Sequence, residues 1–532
     1  MLLVAVLAAG CGGSGGKGQS AGLTSAGESG GSGSSKTYAE LRWGMPIFPN
    51  PIYEADNGYY VGPVEQLAVQ NIVEFEPNGG TKLGLAESVD QPTPTTYVYH
   101  LKKGVKFSDG TPMTAADAVF SLNHNIHGKE SFWGTYWEDV ASVTAQNAST
   151  VVVKLKKPSP IWPEIMAFSS QVIEKAAAEK VGEKRVGTPG ALPIGTGPWQ
   201  LDNYKPEVEV NLSPNPYWKG QQRPANKIKI SIFKEESTMA LALRSGAIDG
   251  AFWYVAEKLF KDIPGTRQLT SSAAANMTFF GMNVHTPPLS DVHVRRAIAY
   301  AANVNGMIDA LQESGLASED RALGPTDLLY SGLGSASAVN EMLASLPSYT
   351  FNLAAAKREL AKSAYPHGFS TTVQAVAAES SSVLDAEILA SNLSKIGIHA
   401  KVEELSTDQA TSMEGSKVKI YVQEYSSAYP DASMLPGFML SPTQIKTGGA
   451  NFASYDNPIV NKLLAEQAET IDQDKRRQIL GKVYDIIGSE VPYRPLYTHK
   501  TWMSISNKYV YPTFSQWTFN FTPWALDVKL AG

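Results

Sequence analysis

Cysteine is almost absent from this chain of 532 residues, which contains a single one, Cys11. Without a second cysteine the sequence can form no internal disulfide and no thiolate metal cluster. Charge is also sparse, since charged residues make up 18% of the chain and the net charge is −6. No run of lysine or arginine forms a basic stripe, so we expect no nucleic-acid partner.

Histidine is scarce too, and no catalytic pattern is found. The eight histidines are scattered. His124 and His127 lie three apart in a predicted helix, but a third metal ligand is missing, so a solvated helix face is the preferred interpretation. GGSGG (12–16) matches the G-x-S-x-G pattern of hydrolases without the strand and helix that this pattern needs. We expect no catalytic residues, no metal site and no cofactor, and we predict that the chain is not an enzyme.

The N-terminus, MLLVAVLAAGC (1–11), is apolar but too short to span a bilayer. It is typical of the end of a signal peptide, and Ala8-Ala9-Gly10-Cys11 resembles a bacterial lipobox, in which the cysteine is acylated. The alternative is an ordinary signal peptide with an incidental cysteine. The Gly/Ser-rich segment 12–37 predicts a flexible tether. The sequence therefore favours an exported protein held at the membrane by a lipid on Cys11.

The stretch LKKGVKFSDGTPMTAADAVFSLNHN (101–125) contains acids that could suggest acid–base chemistry. Alternation from Leu101 to Phe107 predicts a strand, and Thr114 can cap a following helix. Asp109 lies in a turn, where its carboxylate can order the backbone, and Asp117 lies in the first helical turn. We interpret this stretch as architecture.

The rest of the chain alternates strand and helix patterns, and its length requires two or three lobes. No internal repeat of 20–50 residues is found. The pattern predicts a mixed α/β or α+β fold. Predicted strands are 41–47, 96–101, 150–155 and 227–233, and predicted helices are 291–311, 352–364, 381–396 and 456–489.

LAESVDQPTPTTYVYHLKKGVKFSDGTPMTAADAVFSLN (85–123) resembles the signature segment of the family 5 solute-binding proteins, the peptide, opine and nickel receptors of bacterial ABC importers. PIGTGPWQL (193–201), ALRSGAIDGA (242–251) and the segments 277–308 and 451–497 match the family in its order. The resemblance covers nearly everything after the tether.

The resemblance implies a bilobed clamp of the type II periplasmic-binding-protein kind with a third domain. The first lobe is expected at 38–60, 191–272 and 499–532, the accessory domain at 61–190 and the second lobe at 273–498. It also implies an extracytoplasmic monomer, periplasmic or at the cell surface, that closes on a small solute and presents it to the transmembrane subunits of an ABC permease.

The resemblance also indicates where a solute binds. Peptide receptors of the family hold the peptide amine with an Asp in a motif whose counterpart here is YSSAYPDAS (425–433). Tyr425 takes the usual Trp position, Ala428 replaces the amine-binding Asp, and Asp431 matches a second, structural Asp. Ala375 stands where dipeptide receptors have an Arg. Because a free dipeptide would then bury two unpaired charges, longer peptides, oligosaccharides and opine-like conjugates remain open.

Aromatic residues from both lobes complete the predicted site. These are Tyr59, Trp253, Tyr254 and Trp517, together with Tyr425. Each ring can also belong to the core, because aromatic side chains are mostly buried for packing. We favour a receptor for an oligopeptide-like solute, with a non-peptide solute as the alternative and a secreted hydrolase as a remote one.

Overall fold

The structure is a computed structural model that describes residues 37–46, 51–58, 61–127, 131–252, 257–313, 315–319, 321–377, 379–413, 417–447 and 449–531. Cys11 and almost all of the predicted tether lie outside these residues. Within them, no helix combines the length and the apolar character that a membrane crossing requires.

The strands are β1 Leu41–Met45, β2 Val73–Phe75, β3 Thr81–Leu83, β4 Ala86–Thr93, β5 Thr96–Leu101, β6 Val140–Asn147, β7 Thr150–Leu155, β8 Trp199–Lys205, β9 Glu209–Pro214, β10 Ile228–Ile232, β11 Gly250–Ala251, β12 Thr266–Met282, β13 Leu316–Ser318, β14 Phe369–Val376, β15 Ile398–Leu405, β16 Ile420–Ser426, β17 Tyr493–Ser506, β18 Tyr509–Val510 and β19 Lys529–Leu530.

The α-helices are α1 Glu54–Asn57, α2 Gly62–Glu65, α3 Ala115–His127, α4 Gly134–Trp137, α5 Trp162–Ser169, α6 Lys175–Val181, α7 Glu236–Ser245, α8 Val292–Ala301, α9 Val304–Leu311, α10 Thr326–Gly332, α11 Ala336–Ser345, α12 Leu353–Leu360, α13 Ser380–Ser394, α14 Thr407–Thr411, α15 Met434–Met439, α16 Pro458–Glu469, α17 Gln473–Glu490 and α18 Gln516–Phe521.

One large mixed sheet runs through the fold in the order β15-β14-β16-β12-β17-β11-β1-β10-β9-β8, with β13 paired to β17 beside this path. In one half, β14 pairs in parallel with β15 and β16. In the other half, β1 pairs in parallel with β10 and β11. The predicted mixed α/β class is therefore confirmed.

Two long antiparallel strands, β12 and β17, join the two halves of this sheet. Their ladder begins at Thr266↔Ser506, where β17 also pairs with β11, and ends at Gly281↔Tyr493, where β12 also pairs with β16. Register shifts interrupt it between Thr270 and Asn276. The predicted lobe boundaries, after residues 272 and 498, fall on these two strands.

A separate four-stranded antiparallel sheet, β4-β5-β7-β6, forms within the predicted accessory domain. Tyr99 and Trp162 are buried in its core, and the Trp162 indole N–H donates to the Tyr99 hydroxyl at 3.0 Å. This core is continuous with buried residues of β12 and α17. The accessory sheet therefore packs against the half of the molecule that contains α17.

Several predicted elements correspond closely to the structure. The strand predicted at 150–155 is β7, and the strand predicted at 41–47 is β1. The helix predicted at 291–311 is two helices, because Asn303 ends the first pattern and its side chain caps α9 by accepting from the Gly306 N–H. Likewise, Asp472 caps α17 and divides the helix predicted at 456–489.

The prediction of a strand over Leu101 to Phe107 is wrong. Only Leu101 belongs to β5, since Gly104 has a φ of 72° that an extended strand does not allow. The acids of this stretch do order the backbone, as expected. Asp109 accepts from the Thr111 N–H at 2.9 Å, and Asp117 accepts from the Thr114 N–H at 2.9 Å.

The expectation of a solvated helix face at His124 is also wrong. His124 Nε2 lies 2.7 Å from Asp56 Oδ1, and its ring packs on Tyr53. Burial would lower the pKa of His124, but Asp56 and Glu183 raise it overall above its usual value. This histidine therefore connects α3 to the segment after β1.

Candidate ligand-binding site

The carboxyl ends of the parallel strands in the two halves face each other. β17 runs from the β16 side of the sheet to the β11 side, and its ladders through β12 make it parallel to β16 and antiparallel to β11. The end of β16 therefore points towards the end of β11. Ligands of open α/β sheets bind outside the carboxyl ends of strands. This junction is the candidate site.

Tyr425 lies at the junction, one residue before the end of β16. Its ring is half-buried and packs against Phe438 at 5.7 Å, Phe279 at 6.3 Å and Phe452 at 6.5 Å between ring centroids. Phe279 belongs to the core that is continuous with the accessory sheet, and Phe452 and Tyr425 pack on that core. Tyr425 thus lies between core and junction, and its role as a ligand contact stays a prediction.

Asp431 is held by its own partners. The guanidinium of Arg476 donates to both of its carboxylate oxygens, at 2.7 and 2.5 Å, and the Ser433 hydroxyl donates to it at 2.6 Å. Burial would raise the pKa of Asp431, but Arg476 and Ser433 lower it overall below its usual value. These contacts fit the structural role that the motif implies, and Asp431 carries no spare charge for a solute. Ala428, half-buried, offers only a methyl group.

Trp517 is 1% exposed and packs against Phe75 in the core that also contains Phe521. That position agrees with the core alternative left open by the sequence, and a ligand contact for Trp517 stays a prediction. Ala375 is buried within β14, paired with Glu404. Three further predicted contacts lie outside the described residues: Tyr59, Trp253 and Tyr254.

A second group of residues, which sequence analysis did not predict, lies at the junction on the other face of the sheet from Tyr425. Glu424 and Tyr497 both pair with Thr278, and Ser426 and His499 both pair with Asn276. Because side chains alternate along a strand, Glu424, Tyr497 and His499 share one face. His499 Nε2 lies 3.1 Å from Glu424 Oε1.

Helix α13 covers this face and contributes a buried acid. Asp385 is 0% exposed, and its Oδ2 accepts from the Tyr497 hydroxyl at 2.6 Å. Burial raises the pKa of Asp385 to about 7, and the negative charge of Glu313 adds to that rise. Burial also raises the pKa of Glu313 to about 7, with a contribution from Glu257. We call Glu313, Asp385, Glu424 and His499 the His499 cluster.

The imidazole of the cluster is itself polarised by these acids. Burial would lower the pKa of His499, but Glu424, Glu313 and Asp385 raise it overall above its usual value. One imidazolium cannot balance three carboxylates, so the cluster is acidic. No local motif could have revealed it, because its members come from positions 313 to 499 and meet only through long-range packing of strands, a helix and a loop.

A separate cavity of about 160 Å³ lies between the accessory sheet and α16 and α17, lined by Tyr136, Trp162, Ser433 and Arg476 among others. Burial raises the pKa of the nearby Glu164 to about 8. This cavity lies beside the Asp431–Arg476 pair. It is on the accessory-domain side of the fold and apart from the strand ends that define the junction.

Comparison with known proteins connects this geometry to a family. A family model for bacterial extracellular solute-binding proteins, family 5 (middle region), matches residues 81–447. The glutathione-binding protein GsiB of Escherichia coli (strain K12) is 26% identical over 420 residues, which cover 76% of this chain and 78% of GsiB.

Solved structures share the fold at lower identity. The periplasmic binding protein DppA from Helicobacter pylori, in complex with peptide STSA, superposes with a TM-score of 0.75 at 20% identity, covering 93% of this chain and 98% of DppA. AgaA from A. tumefaciens R10, in complex with agropinic acid, has a TM-score of 0.73 at 22% identity, covering 93% and 99%. These likenesses confirm the predicted clamp fold.

The relatives and structural neighbours are binding proteins, and the prediction that this chain is not an enzyme is confirmed. The family is extracellular, which agrees with the predicted location outside the cytoplasm. With a family match over more than half of its length, the chain belongs to the bacterial extracellular solute-binding proteins, family 5.

Proposed function

We propose that this protein is the receptor of an ABC importer that encloses a peptide-like solute between two lobes and delivers it to a membrane permease. The observation that carries the proposal is the junction, where the parallel strands of both halves direct their carboxyl ends at each other across β12 and β17. Two connecting strands form a hinge of the kind that lets binding proteins close on their ligands.

The end of β16 supports a peptide-like solute. Ser426 is exposed there, and Tyr425 offers a half-buried ring beside it. An extended peptide can bond to exposed strand backbone while aromatic surfaces bind its side chains. The chain also resembles GsiB, named as a glutathione-binding protein, and DppA, solved with a peptide.

Closure on a solute tests the receptor function. Peptides of two to five residues would be screened for an increase in the thermal unfolding midpoint, because a ligand of the native state stabilises it by mass action. We expect the best peptide to reduce the radius of gyration in X-ray scattering. An unchanged radius at saturation contradicts enclosure between lobes.

A non-peptide solute is the second candidate, favoured by the occupants of the amine-binding motif. Ala428 has no charge, and both carboxylate oxygens of Asp431 already accept hydrogen bonds from Arg476. AgaA shows that the same fold is found with agropinic acid. Screening oligosaccharides and opine-like conjugates beside the peptides separates the two candidates by which class stabilises the protein.

Attachment to the membrane through a lipid on Cys11 is the remaining part of the proposal. Its support is the sequence Ala8-Ala9-Gly10-Cys11 before a Gly/Ser-rich tether. In the full-length chain, Cys11→Ser should release the protein from the membrane fraction without changing solute affinity. Retention of the variant at the membrane contradicts acylation at this cysteine.

A further inference from the structure

The His499 cluster concentrates carboxylates where the two halves of the sheet meet. Glu424 is fixed by its contact with His499, at 3.1 Å, and Asp385 by the hydroxyl of Tyr497, at 2.6 Å. Leu316 pairs with His499 in the ladder between β13 and β17, which brings the preceding loop with Glu313 to the same place.

Two buried polar atoms around this cluster lack partners among the described residues. Trp502 is 8% exposed, its indole N–H has no hydrogen-bond acceptor, and its ring centroid lies 6.2 Å from that of His499. Asp385 Oδ1 is likewise buried and accepts no hydrogen bond. An unsatisfied donor and an unsatisfied acceptor in a buried place are costly, and a bound molecule could satisfy both.

The chemistry of the cluster favours an organic cation over a metal ion. Within the described part of the chain, no three carboxylate, histidine or cysteine side chains converge closely enough to hold a metal. An ammonium or guanidinium group is larger than a metal ion and can donate hydrogen bonds to carboxylates that lie further apart. Such a group also binds well beside aromatic rings. Tyr497, Trp502 and the imidazole of His499 provide such rings.

We propose that the His499 cluster receives the ammonium or guanidinium group of a cationic solute, while the Trp502 N–H donates to a carbonyl or carboxylate oxygen of the same molecule. This inference rests on the proposed receptor function and identifies its solute class. It relocates the recognition of positive charge from position 428, where this chain has alanine, to the opposite face of β16. Binding competes with protonated His499 for the carboxylates.

The experiment compares two probes that differ in charge alone: N-acetyl-arginine amide, a cation, and N-acetyl-citrulline amide, its neutral counterpart. Titration calorimetry on the mature chain should show that the arginine probe binds and that the citrulline probe binds at least about tenfold more weakly. Affinity for the cation should rise from about pH 5.5 to about pH 8, because His499, Asp385 and Glu313 lose protons over this range.

Isosteric variants locate the effect. Glu424→Gln and Glu313→Gln should each weaken binding of the arginine probe by about tenfold or more, and Trp502→Phe, which retains a ring without the N–H, should weaken it by a smaller factor. Glu466→Gln, at an exposed position of α16, is the matched control and should leave affinity unchanged. Unchanged unfolding midpoints without probe show that the variants are folded.

The possible outcomes separate the two proposals. If the arginine probe fails to bind, or if the neutral probe binds equally well, the cationic-solute inference is overturned. Peptides or other solutes that still induce closure would then leave the receptor function intact. If the cation binds with the same affinity to the glutamine variants and to wild type, the charge is recognised elsewhere and the inference is overturned on location.

Discussion

Two charged groups lie at opposite ends of the segment 424–431, and they differ in how their charges are balanced. At its far end, Asp431 is balanced by Arg476, with two direct contacts between their side chains. At its near end, Glu424 belongs to the His499 cluster, in which three carboxylates share one imidazole. The charge of the first group is balanced by its own partner, and the second group has an excess of negative charge, although both lie within or beside β16.

The pKa directions follow this difference in composition. Although burial alone would raise it, the pKa of Asp431 is lowered overall because Arg476 compensates its charge. Burial raises the pKa of Asp385 and of Glu313 to about 7. Neighbouring acids add to this rise, and the positive charge of His499 offsets it only partly. A buried charge with its partner supports the fold, whereas uncompensated carboxylates at a strand junction are the arrangement expected of a binding site.

The largest effect is expected from Asp431→Asn. This change leaves the guanidinium of Arg476, 3% exposed, without its counter-charge. Removing one partner of a buried ion pair costs about 3–5 kcal/mol. The free energy of unfolding measured in urea should therefore fall by this amount, with a lower urea midpoint. Binding of solute by the folded fraction should be unchanged.

The matched control is Asp474→Asn. Asp474 pairs with Arg477 at 2.6 Å, but its side chain is 74% exposed. Exposed pairs contribute about 0–1 kcal/mol, so this variant should unfold almost as wild type does. Equal losses in the two variants would contradict the view that Asp431 belongs to a buried, stabilising pair.

The sequence predicted the balanced group better than the unbalanced one, for a physical reason. Asp431 lies in a local motif, YSSAYPDAS (425–433), so its structural role could be predicted from neighbours in the chain. His499 and Glu424 meet because β12 pairs with strands on both sides, and that register is set by long-range packing. Regular strands such as β7 were predictable from the local sequence, TVVVKL (150–155), whereas the helix break at Asn303 depended on a side-chain cap.

The second prediction concerns pH and uses Asp385→Asn. An acid whose pKa is raised by folding remains protonated in the native state after the unfolded chain has ionised, so the free energy of unfolding falls as pH rises towards the raised value. With a pKa of about 7 in the folded protein, Asp385 should lower that free energy by roughly 2–4 kcal/mol between about pH 4.5 and about pH 8.

Asparagine cannot ionise and can still accept from the Tyr497 hydroxyl, so Asp385→Asn should remove this part of the pH dependence. Urea unfolding at both pH values measures it. The raised pKa of His499 acts in the same direction, because its protonated form is favoured by folding, and that contribution should remain in the variant. Identical pH dependence in variant and wild type would show that Asp385 is ionised throughout and that the cluster is balanced.

The smallest effect is expected from Tyr425→Ala, and it tests which face of β16 meets the solute. Tyr425 lies between the two charged groups and is half-buried, so its loss should weaken solute binding by about 1–3 kcal/mol. Without solute, the variant should lose less stability than Tyr429→Ala, whose ring is 7% exposed and stacks on Phe168 at 5.8 Å. Truncating such a core ring costs about 3–5 kcal/mol. If Tyr425→Ala unfolds as easily as Tyr429→Ala and binds solute normally, Tyr425 is a core residue, and the solute contacts β16 through the Glu424 face alone.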